Sequence, residues 1–185
     1  MPIAIESEHV ELAKSVKSLL AKVAPAEVLH AALEAPVQNP PVYWRGAVEQ
    51  GLQGLSLPES ADGQGAGFLE LAVVIAEFGY AAAPGPFVPS AIAGALIAAH
   101  APEAAVLRRL ACGESIAAYA LESDLTANRH GDTLVICGEA RSVPGAAQAD
   151  VLVLPVAIES GVEWAVIDAS RLEIEVLRSV DPLHP

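Results

Sequence analysis

The side chains that most often do chemistry are thinly spread through this chain. Its five histidines, His9, His30, His100, His130 and His184, stand far apart, and none forms an HxxxH or HExxH pair. No helix turn therefore presents two imidazoles, and no metal centre is expected. The only thiols, Cys112 and Cys137, are too few for a secreted disulfide framework. Both flank apolar segments, where a free cysteine is expected to be buried and inert. The run Gly63-Gln64-Gly65-Ala66-Gly67 has the look of a phosphate cradle. It follows a Leu57-Pro58-Glu59 turn rather than a strand, however, and no βαβ unit surrounds it. It reads as a tight turn feeding a buried helix, with Glu59 a capping or solvated residue of that turn. No catalytic residue is assigned on these grounds.

The elements that would have to position any site come next. At 185 residues, the chain makes one domain or two small ones. Hydrophobic residues are 53% and aromatics 4%, so the core must be built from Ala, Val, Leu and Ile. Ala-rich helices pack closely but bury little area each, which makes a partner chain or further domain an expectation. A formal charge of −13, with Arg108-Arg109 the one basic cluster, argues against nucleic acid or an anionic membrane as partner. The opening MPIAIESEHVE lacks a basic n-region and a long apolar run. The most apolar stretch, Ala81 to Ala99, is interrupted by Pro84, Pro86 and Pro89 and falls short of the ~20 residues a membrane helix needs. A soluble, cytoplasmic protein is expected.

Ser7 reads as the N-cap of a helix to about Val23, and Pro25 opens a second to about Glu34. The run Ala35 to Pro41 reads as a loop. A third helix holds Trp44 and ends at Gly51 and Gly54. A helix from Phe68 to Phe78 is apolar almost all round, which predicts burial on most sides. Ser90 and Pro102 are read as starting two shorter helices, and Gly113 closes the last. Beyond Gly113 the pattern becomes short β-branched runs: Ile116–Leu121, Leu134–Cys137, Val151–Val156, Trp164–Ile167 and Leu172–Leu177. Turns at 129–132 and 159–161 separate them. The expected class is α+β, with a helical domain over 1–113 and an antiparallel, barrel-like β domain over 114–185.

The stretch Gly51–Pro86 joins the Leu-Pro-Glu turn, the glycine loop, the apolar helix and a stop at Phe78-Gly79-Tyr80 and Pro84-Gly85-Pro86. In that order and spacing it resembles the N-terminal helical domain of acyl-CoA dehydrogenases, flavoenzymes that desaturate acyl thioesters at the α,β bond. The resemblance covers the whole chain, most closely Leu52–Leu96. Gly113-Glu114-Ser115-Ile116-Ala117 resembles the family's entry into its first β strand. Gly138 through Ala149-Asp150 resembles the frame G-x-K-x-W-[IV]-T-N-[GA]-x-x-A-D at identical spacing. Val180-Asp181-Pro182 resembles the loop before the middle domain's last strands. The Ala- and Pro-rich run Ala82–Phe87 is similar to actinobacterial steroid- and acyl-CoA dehydrogenases of the fused or heteromeric type.

The resemblance implies FAD held by two segments, a T-E-P-x-A-G-S-D loop and the W-[IV]-T segment. Here the first reads Ala120-Leu121-Glu122-Ser123-Asp124, without the Thr and without Pro-x-Ala-Gly. In the second, Ser142, Val143 and Pro144 stand where the family has Trp, Ile or Val, and Thr, and Ala140 takes the place of Lys. The flavin positions are thus Leu121, Glu122, Ser123, Ser142, Val143 and Pro144, all but Val143 altered or set in a shortened loop. The resemblance also implies a glutamate base and an oligomer-forming bundle, which none of these 185 residues is expected to supply. Three readings follow. The first is a degenerate half of an acyl-CoA dehydrogenase, with acyl-CoA as substrate, a sister half or subunit carrying FAD and base, and an oligomeric full-length protein. The second is an ordinary flavin-binding enzyme, truncated. The third is an assembly module of the same fold.

Overall fold

The computed structural model describes residues 5–34, 40–130 and 133–176. Six helices come first: α1 (Ser7–Val23), α2 (Ala26–Glu34), α3 (Trp44–Glu49), α4 (Phe68–Tyr80), α5 (Phe87–His100) and α6 (Val106–Ala111). Five strands follow: β1 (Ala117–Tyr119), β2 (Thr126–His130), β3 (Thr133–Cys137), β4 (Val151–Ile158) and β5 (Gly161–Asp168). The helical-then-β order is as the residue periods predict.

The helical core is built around aromatics despite their scarcity. Phe78 of α4 stacks on Phe87 of α5 at 4.1 Å between ring centroids, and Tyr43 meets Phe78 edge-on at 5.1 Å. Val16, Leu20, Trp44, Ala47 and Val74 close around them. The α1 N-cap is Glu6, not Ser7: the Glu6 amide donates to Nδ1 of His9 at 3.0 Å. His9 Nε2 lies 3.1 Å from Oε1 of Glu70, which ties α1 to α4. That bond and the carboxylate's own backbone amide, the larger of the two influences, hold the Glu70 carboxyl below its ordinary pKa.

Helix α4 departs from expectation. Leu71, Val74 and Phe78 are buried, but Phe68 and Tyr80 are 84% and 87% exposed. The helix is covered along one face, not on most sides. Helix α5 begins at Phe87 rather than Ser90, because Pro89 falls in its first turn, where a missing amide costs nothing. Helix α6 begins at Val106, after a turn at Pro102.

The sheet is mixed, which corrects the antiparallel expectation. β1 runs parallel to β4, pairing Ala117 with Val151 and Tyr119 with Val153. β2 touches β4 in parallel at Thr126 and Ala157, whereas the β2–β3 and β4–β5 hairpins are antiparallel. β4 is central and covered on both faces. Val153 packs with Ala93, Ile97 and Leu107 on the helical side; Leu152, Leu154 and Val156 form a second cluster with Ala120 and Leu125. A strand buried on both faces reads as a continuous apolar run. Residues 172–176 form no strand, and a 3₁₀ turn at Ala169–Arg171 precedes them. Both cysteines are exposed rather than buried. The sequence-based loop at 35–39, the turn at 131–132 and the Val180-Asp181-Pro182 match lie outside the described residues.

Candidate functional site

Two loops at one end of the sheet carry the residues marked by sequence. The first, 120–125, leaves β1; the second, 138–150, joins β3 to β4. They are bonded to each other, with the Asp124 amide donating to the Glu139 carbonyl at 2.8 Å. Gly138 makes this approach possible. Its φ is +121°, and an added Cβ would stand 2.3 Å from the Asp124 carbonyl oxygen. Loop one is also fastened to the sheet, because the Ser123 hydroxyl donates to the Pro155 carbonyl and accepts from the Leu125 amide at 3.3 Å.

The six marked residues divide by placement. Leu121 is 73% exposed, and Glu122 and Ser142 are also exposed. Ser142 has a left-handed backbone, φ +54°, which is costly for a residue with a side chain. Ser123 is half-buried with its hydroxyl engaged as described. Val143 packs inward on the cluster around Leu152 and Leu154. Pro144 alone lines a hollow of about 250 Å³ where the second loop meets the start of α5. Its other walls are Gly85, Val88, Pro89, Tyr119, Gly145 and Gln148. The structure therefore brings the two loops together but does not turn their side chains into one cavity.

The lining residues were not among those marked by sequence. Gly85 carried a signal, since it sits between two prolines and takes φ +105°. Tyr119 is half-buried at the end of β1, and Gln148 is a buried polar group in an otherwise apolar stretch. The hollow sits on firm supports. The Ser90 hydroxyl accepts from the Ala117 amide at 3.1 Å, which locks α5 to β1. Asp150 Oδ2 accepts from the Ile116 amide at 2.8 Å, which fixes the start of β1 against the end of the second loop. Beneath Gly85 lies Tyr43, 1% exposed, whose hydroxyl has no hydrogen-bond partner.

The hollow offers apolar contact, the Tyr119 phenol and one amide side chain, with no carboxylate, histidine, cysteine or basic group among its lining residues. Elsewhere the arrangement is similarly quiet. Every amide from Gly63 to Ala66 donates to a carbonyl between Gly54 and Pro58, so the glycine loop has no row of free donors for a phosphate. Among the described residues, no group of three or more His, Cys, Asp or Glu could hold a metal ion. No helix among them is long and apolar enough to cross a membrane.

Comparison with known proteins agrees with the fold. The family described as "Acyl-CoA dehydrogenase, N-terminal domain" matches residues 6–114. Acyl-CoA dehydrogenase IpdE2 of Mycobacterium tuberculosis is 35% identical over 123 residues, covering 65% of this chain and 39% of that protein. The Tcur3481–Tcur3483 steroid acyl-CoA dehydrogenase (G363A variant) superposes with a TM-score of 0.78 at 28% identity, over 88% of this chain and 48% of that one. The ChsE4–ChsE5 complex from M. tuberculosis superposes with a TM-score of 0.81 at 22% identity, over 91% and 49%. The chain thus spans about half or less of the length of these relatives. The match over its helical half, together with the shared architecture, places this chain in the acyl-CoA dehydrogenase family.

Proposed function

We propose that this chain is part of an acyl-CoA dehydrogenase acting on a steroid side-chain CoA thioester or a similar acyl-CoA, and that it serves as a scaffold half with no flavin site of its own. In this reading residues 1–113 are the helical domain and 114–185 part of the middle β domain. A sister half or subunit supplies FAD and the catalytic base. The assembly is cytoplasmic and oligomeric. Support for the substrate class comes from the steroid-type relative, and support for a sister subunit from the ChsE4–ChsE5 complex.

The observation that carries the reading is the state of the two loops. A flavin needs an aromatic face to lie against and donors aimed at its polar edge. Ser142 offers no ring and points its left-handed backbone into solvent-exposed surface. Pro144 has neither hydroxyl nor amide hydrogen. The Ser123 hydroxyl already spends its proton on the Pro155 carbonyl. The loops' residues do not fit the cofactor. What the chain's own residues do instead is pack: Val88, Pro89, Tyr119 and Pro144 present an apolar wall that suits the acyl portion of a substrate.

A turnover assay tests this reading. The chain is supplied with FAD, octanoyl-CoA or a steroid side-chain CoA thioester, and an artificial electron acceptor. No turnover is expected from the chain alone. Turnover by the chain alone would overturn the scaffold reading and favour an ordinary flavin-binding dehydrogenase. That alternative rests on the intact G-x-x-x-x-V-x-x-A-x-x-A-D spacing from Gly138 to Asp150.

A further inference from the structure

His9 is a buried titratable group outside both loops, and its two ring nitrogens serve different helices. It is the third residue of α1 after the N-cap Glu6, and the Glu6 backbone amide donates to Nδ1 at 3.0 Å. A backbone amide can only donate, so Nδ1 carries no proton and the proton of the neutral ring sits on Nε2. Nε2 faces Oε1 of Glu70 at 3.1 Å. Glu70 holds the same place in α4, third after the N-cap Gly67. Its carboxylate folds back over that glycine, where an added Cβ would stand 2.8 Å from Oε2. One imidazole thus joins the N-termini of α1 and α4. We propose that His9 is a proton-operated latch: neutral, it closes the cap of α1 and holds α4; protonated, it keeps α4 and releases the chain that enters α1.

The count of donors decides which bond survives. The imidazolium bears a proton on each nitrogen. Nε2–H still meets the Glu70 carboxylate, and that bond becomes charge-assisted on both sides. Nδ1–H meets the Glu6 N–H, donor against donor, so that contact is lost. A cation in the first turn of α1 also opposes the helix dipole. The surrounding charges do not restore the cap. On α1 the Glu6 and Glu8 carboxylates are exposed, and Glu11 pairs with Lys14. On α4, Glu77 lies at the other end, where it lines a groove with Lys17. On α3, Arg45 pairs with Glu49, and that helix meets α1 near Leu19 and Val23. Glu6, Glu8 and Glu70 all favour the imidazolium, so the ring takes up its proton in place. None of them replaces Nδ1 as acceptor for the Glu6 amide, because their protons and charges lie on the wrong side of that bond.

The test is NMR of the isotope-labelled 185-residue chain from about pH 8 to about pH 5, a range that spans ordinary imidazole titration. His9→Gln identifies the His9 signals by their absence, and its side-chain oxygen can accept from the Glu6 amide throughout the range. At the alkaline end the His9 ring should show a protonated Nε2 and a bare Nδ1. As His9 takes up its proton, protection of the Glu6 amide, relative to an unstructured chain, should fall about fivefold or more. The Val74 and Phe78 amides in mid-α4 should keep theirs. In His9→Gln the step at Glu6 should vanish. A proton on Nδ1 at the alkaline end, unchanged protection at Glu6 through the His9 titration, or the same loss in His9→Gln would each overturn the proposal. So would a ring that stays neutral to the acid end, or loss of protection throughout α1 and α4 together.

Discussion

Replacing Tyr43 by Phe should stabilise this protein, although Tyr43 is among its most buried side chains. The ring contributes an edge contact to Phe78 and a tilted contact to Trp44 at 6.2 Å, and phenylalanine keeps both. What it discards is a hydroxyl buried without a hydrogen-bond partner. Such a group carries a desolvation cost of about 1–3 kcal/mol. Phe at this position should recover about 1 kcal/mol of that, raising Tm by roughly 2–4 °C for a chain of this length. Burial also pushes the phenol pKa well above its ordinary value, and the nearby Phe87 amide opposes this only in part. A raised pKa means that stability is full below the unfolded-state value and falls as alkaline pH passes it. The Tyr43→Phe protein should therefore lose less stability between neutral and strongly alkaline pH than the parent. Thermal and urea unfolding at neutral and alkaline pH measure both effects. A drop in Tm on replacement would refute the reasoning, by showing that the hydroxyl is bonded, to the Phe87 amide or to a buried water.

Four further expectations follow from named contacts. Ser90→Ala leaves the wholly buried Ala117 amide without an acceptor and should cost about 1–3 kcal/mol by urea unfolding. Gly138→Ala forces a side chain into a left-handed position and against the Asp124 carbonyl, at a cost of roughly 1–3 kcal/mol, and should speed amide exchange at Asp124. Glu70, its carboxyl pKa lowered by its own amide and by His9, contributes stability above its unfolded pKa that is lost as pH falls through the folded one. Glu70→Gln should accordingly flatten the acid limb of a stability–pH profile. Cys112 and Cys137, both exposed, should react with a thiol reagent in the native protein as fast as in urea.

The order of elements and the helical boundaries at Val23, Glu34 and Phe68 were legible because the signals are local: a proline after a helix, a glycine before one, a change of apolar period. Pairing partners were not. β2 is the polar run Thr126–His130, which becomes a strand by bonding along β3 rather than by propensity. The parallel match of β1 to β4 joins segments far apart in sequence, and nothing in either run encodes its direction. The cysteines misled because apolar flanks do not say which way a side chain on a sheet edge or helix end will face. At the site, the family frame located the second loop through Pro144, but the hollow's other walls come from α5 and β1. They converge through the apolar packing of α5 on β1 and β4 and through the Ser90 and Asp150 bonds.

The central claim, that this half holds no flavin, is tested most directly by the visible absorption spectrum of the purified chain. The spectrum is taken before and after incubation with excess FAD and desalting. The account predicts no flavin band in either spectrum, and none when the measurement is repeated on the longest chain the gene encodes without its sister subunit. A retained band in either would contradict it, and would show that loops 120–125 and 138–150 open to receive the ring.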